Sequence, residues 1–375
     1  MAAKPSPVDD LKRAISPIPE IIEEAREGRM FILIDEEDRE NEGDLVIPAQ
    51  FATPAQVNFM AKHGRGLICL ALAPERAETL GLDPMTPRNQ TRMGTAFTVS
   101  IEAREGVSTG ISAHDRALTI ATAIDPTKDR RDIVSPGHVF PLTARDGGVL
   151  VRAGHTEASV DIARQAGLNP SAVICEIMND DGTMARLPEL IAFAQFHNLK
   201  IGAIDELIAY RRVHERLVEK VAEAPFDVRG GKGFRLVVFR NKLDGVEHAA
   251  LVKGEIGADK PTLVRVHRVD FAADVIGGYG QRAGMIDRAV AEIDAEGAGI
   301  IVLLRDLVPD VLSRRLSGQP LEFEADDIRR VIGVGSQILR ELGVGRMIVL
   351  SGAPQRLVGL EGYGLSVDGW REFKS

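Results

Sequence analysis

Residues 35–44 read DEEDRENEGD, seven carboxylates around a single arginine, Arg39. The run is framed by MFILI and LVIPA, two apolar stretches that read as buried strands. A charge run of this kind is ordinarily a solvated turn, and that reading stands beside a chemical one. Crowding carboxylates between buried strands incurs like-charge repulsion unless a cation or a substrate uses them. Clustered oxygens are what Mg²⁺ selects, one or two carboxylates supplemented by water and substrate oxygens. Gly43 permits tight turning beside Asp44.

A second constellation lies in GGVLVRAGHTEASVDIARQAG (147–167), which reads as strand, turn and helix. Arg152, His155 and Thr156 fall between the strand end and the helix start, with Thr156 as a candidate N-cap. The free N–H groups and dipole of such a helix make an anion site, and Arg152 can offer a phosphate its guanidinium fork. His155 in the same turn suits a metal or acid–base work; a capped helix with an incidental histidine is the alternative. STGISAHDR (108–116) is a hydroxyl-rich loop before a helix, and SPGHVFPL (135–142) reads as a further loop that holds His138 between two prolines. Glu176 interrupts the apolar strand SAVICEIM, either facing solvent or held for function.

These residues need elements to position them. Apolar spacing predicts helices over 8–28, 114–124, 156–167, 187–199 and 205–224. Strands are expected at 30–35, 67–72, 95–103, 147–154, 171–178 and 200–204. PFDVRGGKG (225–233), with three glycines, marks a composition shift. Beyond it come strand-like FRLVVFRN, HAALVKG, PTLVRVHRVD, GIIVLLRD and RMIVLSG, with helices from RAVAEIDAEGAG and the GVGSQILRELG region. Strands and helices alternate in both halves, so the class is α/β or α+β. The division expected is a first domain over 1–212, a linker over 213–233 and a second domain over 234–375.

Composition narrows the function. The chain has 375 residues, enough for two cores, and a formal net charge of −9. That charge argues against a general nucleic-acid binder, and 5% aromatic content argues against base-stacking platforms. Cys69 and Cys175 are the two cysteines, too few for a disulfide framework or a thiolate-rich zinc site. No apolar run approaches the roughly 20 residues that span a bilayer, and the N-terminus lacks a secretory pattern. The expectation is a soluble cytoplasmic protein with no membrane partner.

Taken in order, DEEDRENEGD, STGISAHDR, PGHVFPL, RAGHTEASVD and CEIMNDDG closely resemble 3,4-dihydroxy-2-butanone 4-phosphate synthase, a riboflavin-pathway family, over nearly all of residues 8–212. The resemblance implies an α+β fold, a homodimer with sites near the subunit interface, and a divalent metal, Mg²⁺ or Mn²⁺. It implies conversion of D-ribulose 5-phosphate to L-3,4-dihydroxy-2-butanone 4-phosphate and formate. By position it makes Glu40 and His155 the metal ligands. Arg39, Glu40, Asp44, Thr109, Arg152, Gly154, His155, Thr156 and Glu176 become substrate contacts. His138, Glu176, Glu42 and Asp44 become the catalytic groups. Cys69 matches a cysteine near the site and is equally readable as a small buried residue; His114 receives no role. The chemistry suits these residues, because enolisation, dehydration and skeletal rearrangement each move protons beside oxygens.

Residues 234–354 resemble GTP cyclohydrolase II, through EHAALVKGE, PTLVRVHRVD, GIIVLLRD and IGVGSQILRELGV. The departures fall on that family's zinc chemistry. VDFAADV (269–275) puts Asp270 at a cysteine position, GGYGQ (277–281) replaces a second cysteine-bearing segment, and LVPDVL (307–312) follows Arg305 where an EGRGIG-like stretch is expected. No cysteine follows Cys175. The expectation is a retained fold without zinc or cyclohydrolase activity, the alternative being a bifunctional enzyme.

Overall fold

In the computed structural model the described residues are 14–36, 39–277, 284–305, 313, 317, 325–351 and 360–373, the 325–332 segment by backbone alone. They form two compact units that divide between Arg211 and Arg212.

The first unit is built on a seven-stranded mixed sheet. Its strands are β1 (Phe31–Ile34), β2 (Gly43–Pro48), β3 (Cys69–Leu72), β4 (Ile101–Ala103), β5 (Ile133–Thr143), β6 (Ser171–Glu176) and β7 (Ile201–Ala203). Their order across the sheet is β4-β5-β3-β6-β2-β1-β7. FILI and LVI are apolar without interruption because both faces of the sheet are covered. Ile32, Leu45, Ile47, Val173 and Cys175 pack on one side with Val57, Ala117, Ile120 and Leu190. Phe31, Leu33, Val46, Cys69 and Ile174 pack on the other with Ile21, Ala158, Ile162 and Leu207. Successive residues of a strand point to opposite faces. Asp44 and Glu176 therefore share the side of Val46 and Ile174, the side covered by the helix His155–Gln165. They are direct register partners across β2 and β6.

The second unit carries its own sheet, in the order β14-β13-β11-β12-β10-β9-β8. The strands are β8 (Val218–Pro225), β9 (Phe234–Asn241), β10 (Glu247–Lys253), β11 (Thr262–Arg268), β12 (Gly299–Leu304), β13 (Arg346–Leu350) and β14 (Ser366–Arg371). The helix Met285–Glu296 seals one face through Ala289, Val290 and Ile293. The helix Ala325–Glu341 seals the other through Val334, Ile338 and Leu339.

Several sequence expectations are corrected. GGVLVRAG is not a strand: Gly147 and Gly148 have φ of 85° and 60° and bend the chain. A 3₁₀ turn follows at Gly148–Leu150, with the Val149 N–H donating to Asp161 Oδ2 at 2.8 Å. In 95–103 only Ile101–Ala103 is a strand, since Phe97 and Thr98 pair through isolated bridges. The long helix expected over 205–224 stops at His214. Its second half becomes β8, an edge strand paired with β9 from Val218 to Pro225, so backbone pairing overrides the helical propensity of VEKVAEA. Residues 218–225 of the stretch expected as a linker, 213–233, thus belong to the second sheet. Of the helix expected over 8–28, the described part runs from Ile18 to Arg26 after Pro17, while Ile15 bridges Ile201. Its expected residues 8–13, most of GGYGQ and all of LVPDVL lie outside the described residues.

Candidate active site

The acidic loop is folded by its own first carboxylate. Asp35 follows the last residue of β1, and its side chain accepts the Glu40 N–H at 3.1 Å and the Glu42 N–H at 2.8 Å. Arg39 closes the arrangement, donating to Asp35 Oδ2 and to Glu40 Oε2 at 2.7 Å each. Two backbone donors and an arginine thus convert a repelling charge run into a compact turn. The turn aims Glu40 at His155, with Glu40 Oε2 at 3.8 Å from His155 Nδ1.

His155 is the first residue of its helix and is buried against β1 and β2. Its Nε2 lies 3.2 Å from the Leu33 carbonyl oxygen and 3.9 Å from Asp44 Oδ1. Asp35, Glu40 and His155 each offer a ligand atom, all within 4.8 Å of one another. Two carboxylates and an imidazole are a donor set that a hard or borderline divalent cation accepts. Among the described residues this is the one such group.

The helix N-terminus departs from expectation. Gly154, not Thr156, is the N-cap, and it contributes no side-chain bond. Thr156 sits one residue into the helix and is buried. Arg152 is pinned across this end, its Nη1 donating to Glu157 Oε2 at 2.6 Å and its Nη2 to Thr95 Oγ1 at 3.2 Å. A Cβ at position 154 would stand 2.3 Å from Arg152 Nη1, so only glycine leaves the guanidinium its place.

Electrostatics separate the carboxylates. Burial, reinforced by the charges of Glu176, Glu42 and Glu40, pushes Asp44 up to about 7, against the opposing pull of His155. Burial alone would lower His155, but Asp44 and Glu40 outweigh it and hold the imidazole up to about 9. Glu40 is held below the usual carboxylate range by the His155 imidazole beside it and by Arg39. Glu42 is raised by burial and by Glu40. Glu176 is fixed by the Leu67 N–H, which donates to its Oε2 at 2.8 Å. Cys69 and Cys175 are buried, and burial first, then Glu176 and Asp44, drives both thiols upward, so neither is a nucleophile.

Arg39, Glu40, Glu42, Asp44, His155 and Glu176 therefore gather around one point. Arg152, Gly154 and Thr156 stand at the adjoining helix end. Two expected residues do not join them within one chain. His138, on β5, pairs with Glu102 of β4, and Thr109 lies exposed in the preceding loop. His114 is exposed. Sequence reasoning gave no individual role to Asp35 although it quoted the residue, and it passed over Glu102 and Arg186. Asp35's signal was its place at the strand end, where a tight loop needs an acceptor for its own N–H groups. Nothing local marks the Arg186 guanidinium, whose partners, the Glu40 and Asn41 carbonyls, lie more than a hundred residues away.

In the second unit Asp270 performs a structural task. Its Oδ1 accepts the N–H groups of Ala272 and Ala273 at 3.0 and 3.1 Å, capping the short turn Phe271–Val275. His267 and Asp274 form a buried pair at 2.8 Å beside it.

Known proteins resemble this chain over both units. A sequence model described as 3,4-dihydroxy-2-butanone 4-phosphate synthase matches residues 19–210, and one described as GTP cyclohydrolase II matches residues 219–372. The 3,4-dihydroxy-2-butanone 4-phosphate synthase of Neisseria meningitidis serogroup A is 50% identical over 361 residues, spanning 96% of this chain and 98% of that protein. The crystal structure of RibBX, a two-domain synthase of the same kind from A. baumannii, is 41% identical, covering 95% of this chain and 99% of that one with a TM-score of 0.75. A synthase structure in complex with two magnesium ions is 42% identical, covering 53% of this chain and 98% of its own at a TM-score of 0.52.

Proposed function

The chain belongs to the 3,4-dihydroxy-2-butanone 4-phosphate synthase family, and from that membership we propose how its residues divide the work. The reaction converts D-ribulose 5-phosphate to L-3,4-dihydroxy-2-butanone 4-phosphate and formate in riboflavin biosynthesis. Glu40 and His155 hold a divalent metal, Mg²⁺ or Mn²⁺, with Asp35 ordering the loop that presents Glu40. When bound, the cation supplies charge stabilisation to oxygens of the substrate. Arg39 neutralises the loop around it. Asp44, raised to about 7, exchanges protons near neutral pH, with Glu176 beside it on the paired strand and Glu42 at the loop end. Arg152, already oriented by Glu157, takes the phosphate with Thr156, while Gly154 keeps the approach open.

His138 is also assigned to catalysis. In one copy it lies on β5, three strand spacings from β2, or roughly 14 Å at the usual inter-strand distance. A homodimer with sites near the subunit interface gives His138, Glu102 and Thr109 a route to a cluster on the second copy. We place the protein in the cytoplasm; among the described residues no helix is long and apolar enough to cross a membrane. The second unit takes no zinc and does not open GTP, because no cysteine follows Cys175.

One observation carries this reading: the Asp35–Glu40–His155 group stands against the register-paired carboxylates Asp44 and Glu176. Ribulose 5-phosphate and Mg²⁺ should give formate and the four-carbon phosphate by NMR. Glu40→Gln and His155→Ala should abolish turnover with the fold intact. Near-normal activity of either variant at saturating Mg²⁺ would overturn the ligand assignment. Mixing Glu40→Gln with His138→Ala protein should restore part of the activity if the site is shared between copies, and none if it is not.

A further inference from the structure

Arg186 precedes the helix Leu187–His197 and reaches across the sequence to the acidic loop. Its Nη1 donates to the backbone carbonyl oxygen of Glu40 at 2.8 Å and to that of Asn41 by a second, shorter bond. Among the described residues Asn41 is one of three non-glycine residues with positive φ, at 54°, so the carbonyls are held where the described part of the loop backbone is least ordinary. Arg186 is itself fixed, since its N–H donates to Glu189 Oε2 at 3.0 Å. The same helix presses on the loop a second time: a Cβ on Gly43 would stand 2.5 Å from Leu190 Cδ1. The loop is thus gripped on the inside by Asp35, which takes its N–H groups, and on the outside by Arg186, which binds its carbonyls.

We propose that Arg186 is a positioning residue for metal binding. Its guanidinium holds the Glu40–Asn41 backbone so that the Glu40 carboxylate meets His155 before any cation arrives. Arg186 touches neither substrate nor cation. It acts by removing from the binding step the entropy of ordering the loop. A cationic side chain this close to the loop also offsets its crowded negative charge, which a neutral residue at 186 would leave unopposed. The proposal rests on Glu40 being a ligand, so its test keeps the two ideas apart.

The experiment titrates Mn²⁺ into the substrate-free full-length protein, followed by the loss of the free-ion paramagnetic resonance signal, for wild type, Glu40→Gln, Arg186→Ala and Arg186→Lys. Outer-shell partners of metal ligands typically change affinity by about 10- to 100-fold, and Arg186→Ala should weaken Mn²⁺ by an amount in that range. Arg186→Lys, which keeps the charge but not the planar fork, should recover part of the loss. In turnover, Arg186→Ala should show a lowered kcat that rises as Mg²⁺ is raised, with the KM for ribulose 5-phosphate at saturating metal near wild type. A purely structural arginine would lower the melting temperature without moving the Mn²⁺ constant, and that result overturns the proposal. Should Arg186→Ala fail to fold, Arg186→Lys with unchanged Mn²⁺ affinity overturns it equally. If Glu40→Gln binds Mn²⁺ as wild type does, the ligand assignment fails; if Glu40→Gln loses binding while both Arg186 variants keep it, only the positioning role fails.

Discussion

At the scale of the residue, a proton and a cation compete for His155. The imidazole carries its proton up to about pH 9 in the metal-free protein, because Asp44 and Glu40 overcome the effect of burial. A cation that takes its ring nitrogen must displace that proton, so apparent Mg²⁺ affinity should rise between pH 6.5 and 9, by up to about tenfold per pH unit. Calorimetry in buffers of different ionisation heat should find close to one proton released per ion well below pH 9, falling to about half a proton at pH 9; pH-independent binding would rule His155 out. Arg152 offers a second test at this scale. Removing a desolvated charge pair costs about 2–5 kcal/mol, so Arg152→Ala should raise the KM for ribulose 5-phosphate strongly. Unchanged KM would place the phosphate elsewhere. The residue types were legible in the sequence because motifs such as RAGHT and DREN are local. Their partners were not. Arg186 on the Glu40 carbonyl and Glu102 on His138 are tertiary contacts that no spacing rule encodes, and Glu157, only five residues from Arg152, meets it because the chain turns into the helix between them.

At the scale of the element, the site depends on a turn that sequence periodicity misread. GGVLVRAG has the apolar content of a strand, yet two left-handed glycines and one buried aspartate decide its shape. Asp161 accepts the Val149 N–H and the Arg211 Nη1, the latter at 2.5 Å, with both charged side chains nearly inaccessible. Asp161→Ala leaves the buried Arg211 without its counter-charge, keeping only its bond to the Gly147 carbonyl among those described, and should destabilise the first unit by about 3–5 kcal/mol. Urea unfolding would measure it, and a loss under 1 kcal/mol would show that the turn is held by other means. The loop 108–112 makes a complementary prediction about pH. Hydrogen bonds from Ser108, then from Gly110 and Ser112, hold Asp115 down to about 2, below its usual 3.8. A depressed carboxylate stabilises above its unfolded pKa and loses that contribution as pH falls through the folded one. The stability gap between wild type and Asp115→Asn should therefore be full above pH 4 and shrink toward pH 2. A gap that stays constant across that range would contradict it. Most inner strands and the longer helices were readable because both faces of each sheet are covered, which writes unbroken apolar runs into the chain; the inner strand β5 was not, and SPGHVFPL, expected as a loop, is strand, because its prolines, Gly137 and exposed polar residues break the apolar run. The edge strands β8 and β14 were not, since an edge strand buries little and leaves only a weak apolar signature.

At the scale of the molecule, each unit owns its sheet and its apolar clusters. The last helix of the first unit contributes Leu207 and Ile208 to that core and runs on to His214. A truncation that ends after His214 keeps this helix whole, whereas one near 211 cuts its final turn. The longer fragment should fold and form formate from ribulose 5-phosphate, and it should melt above the shorter one. Loss of activity in a folded 1–214 fragment would give the second unit a part in the synthase reaction. Full-length protein supplied with GTP and Zn²⁺ should yield neither formate nor pyrophosphate and should retain no stoichiometric zinc. Release of both products at an enzymatic rate would establish a cyclohydrolase site of a different design.

By the resemblance of VDFAADV to the cyclohydrolase family, Asp270 falls at a cysteine position, and it caps the turn Phe271–Val275 through two backbone N–H groups. That makes the position an evolutionary ratchet. Exchanging a capping aspartate for a residue that cannot cap costs about 0.5–2 kcal/mol, and a cysteine at 270 would return one thiolate of the three such a site needs. A lineage moving toward zinc would lose stability at its first step and gain no chemistry until its third.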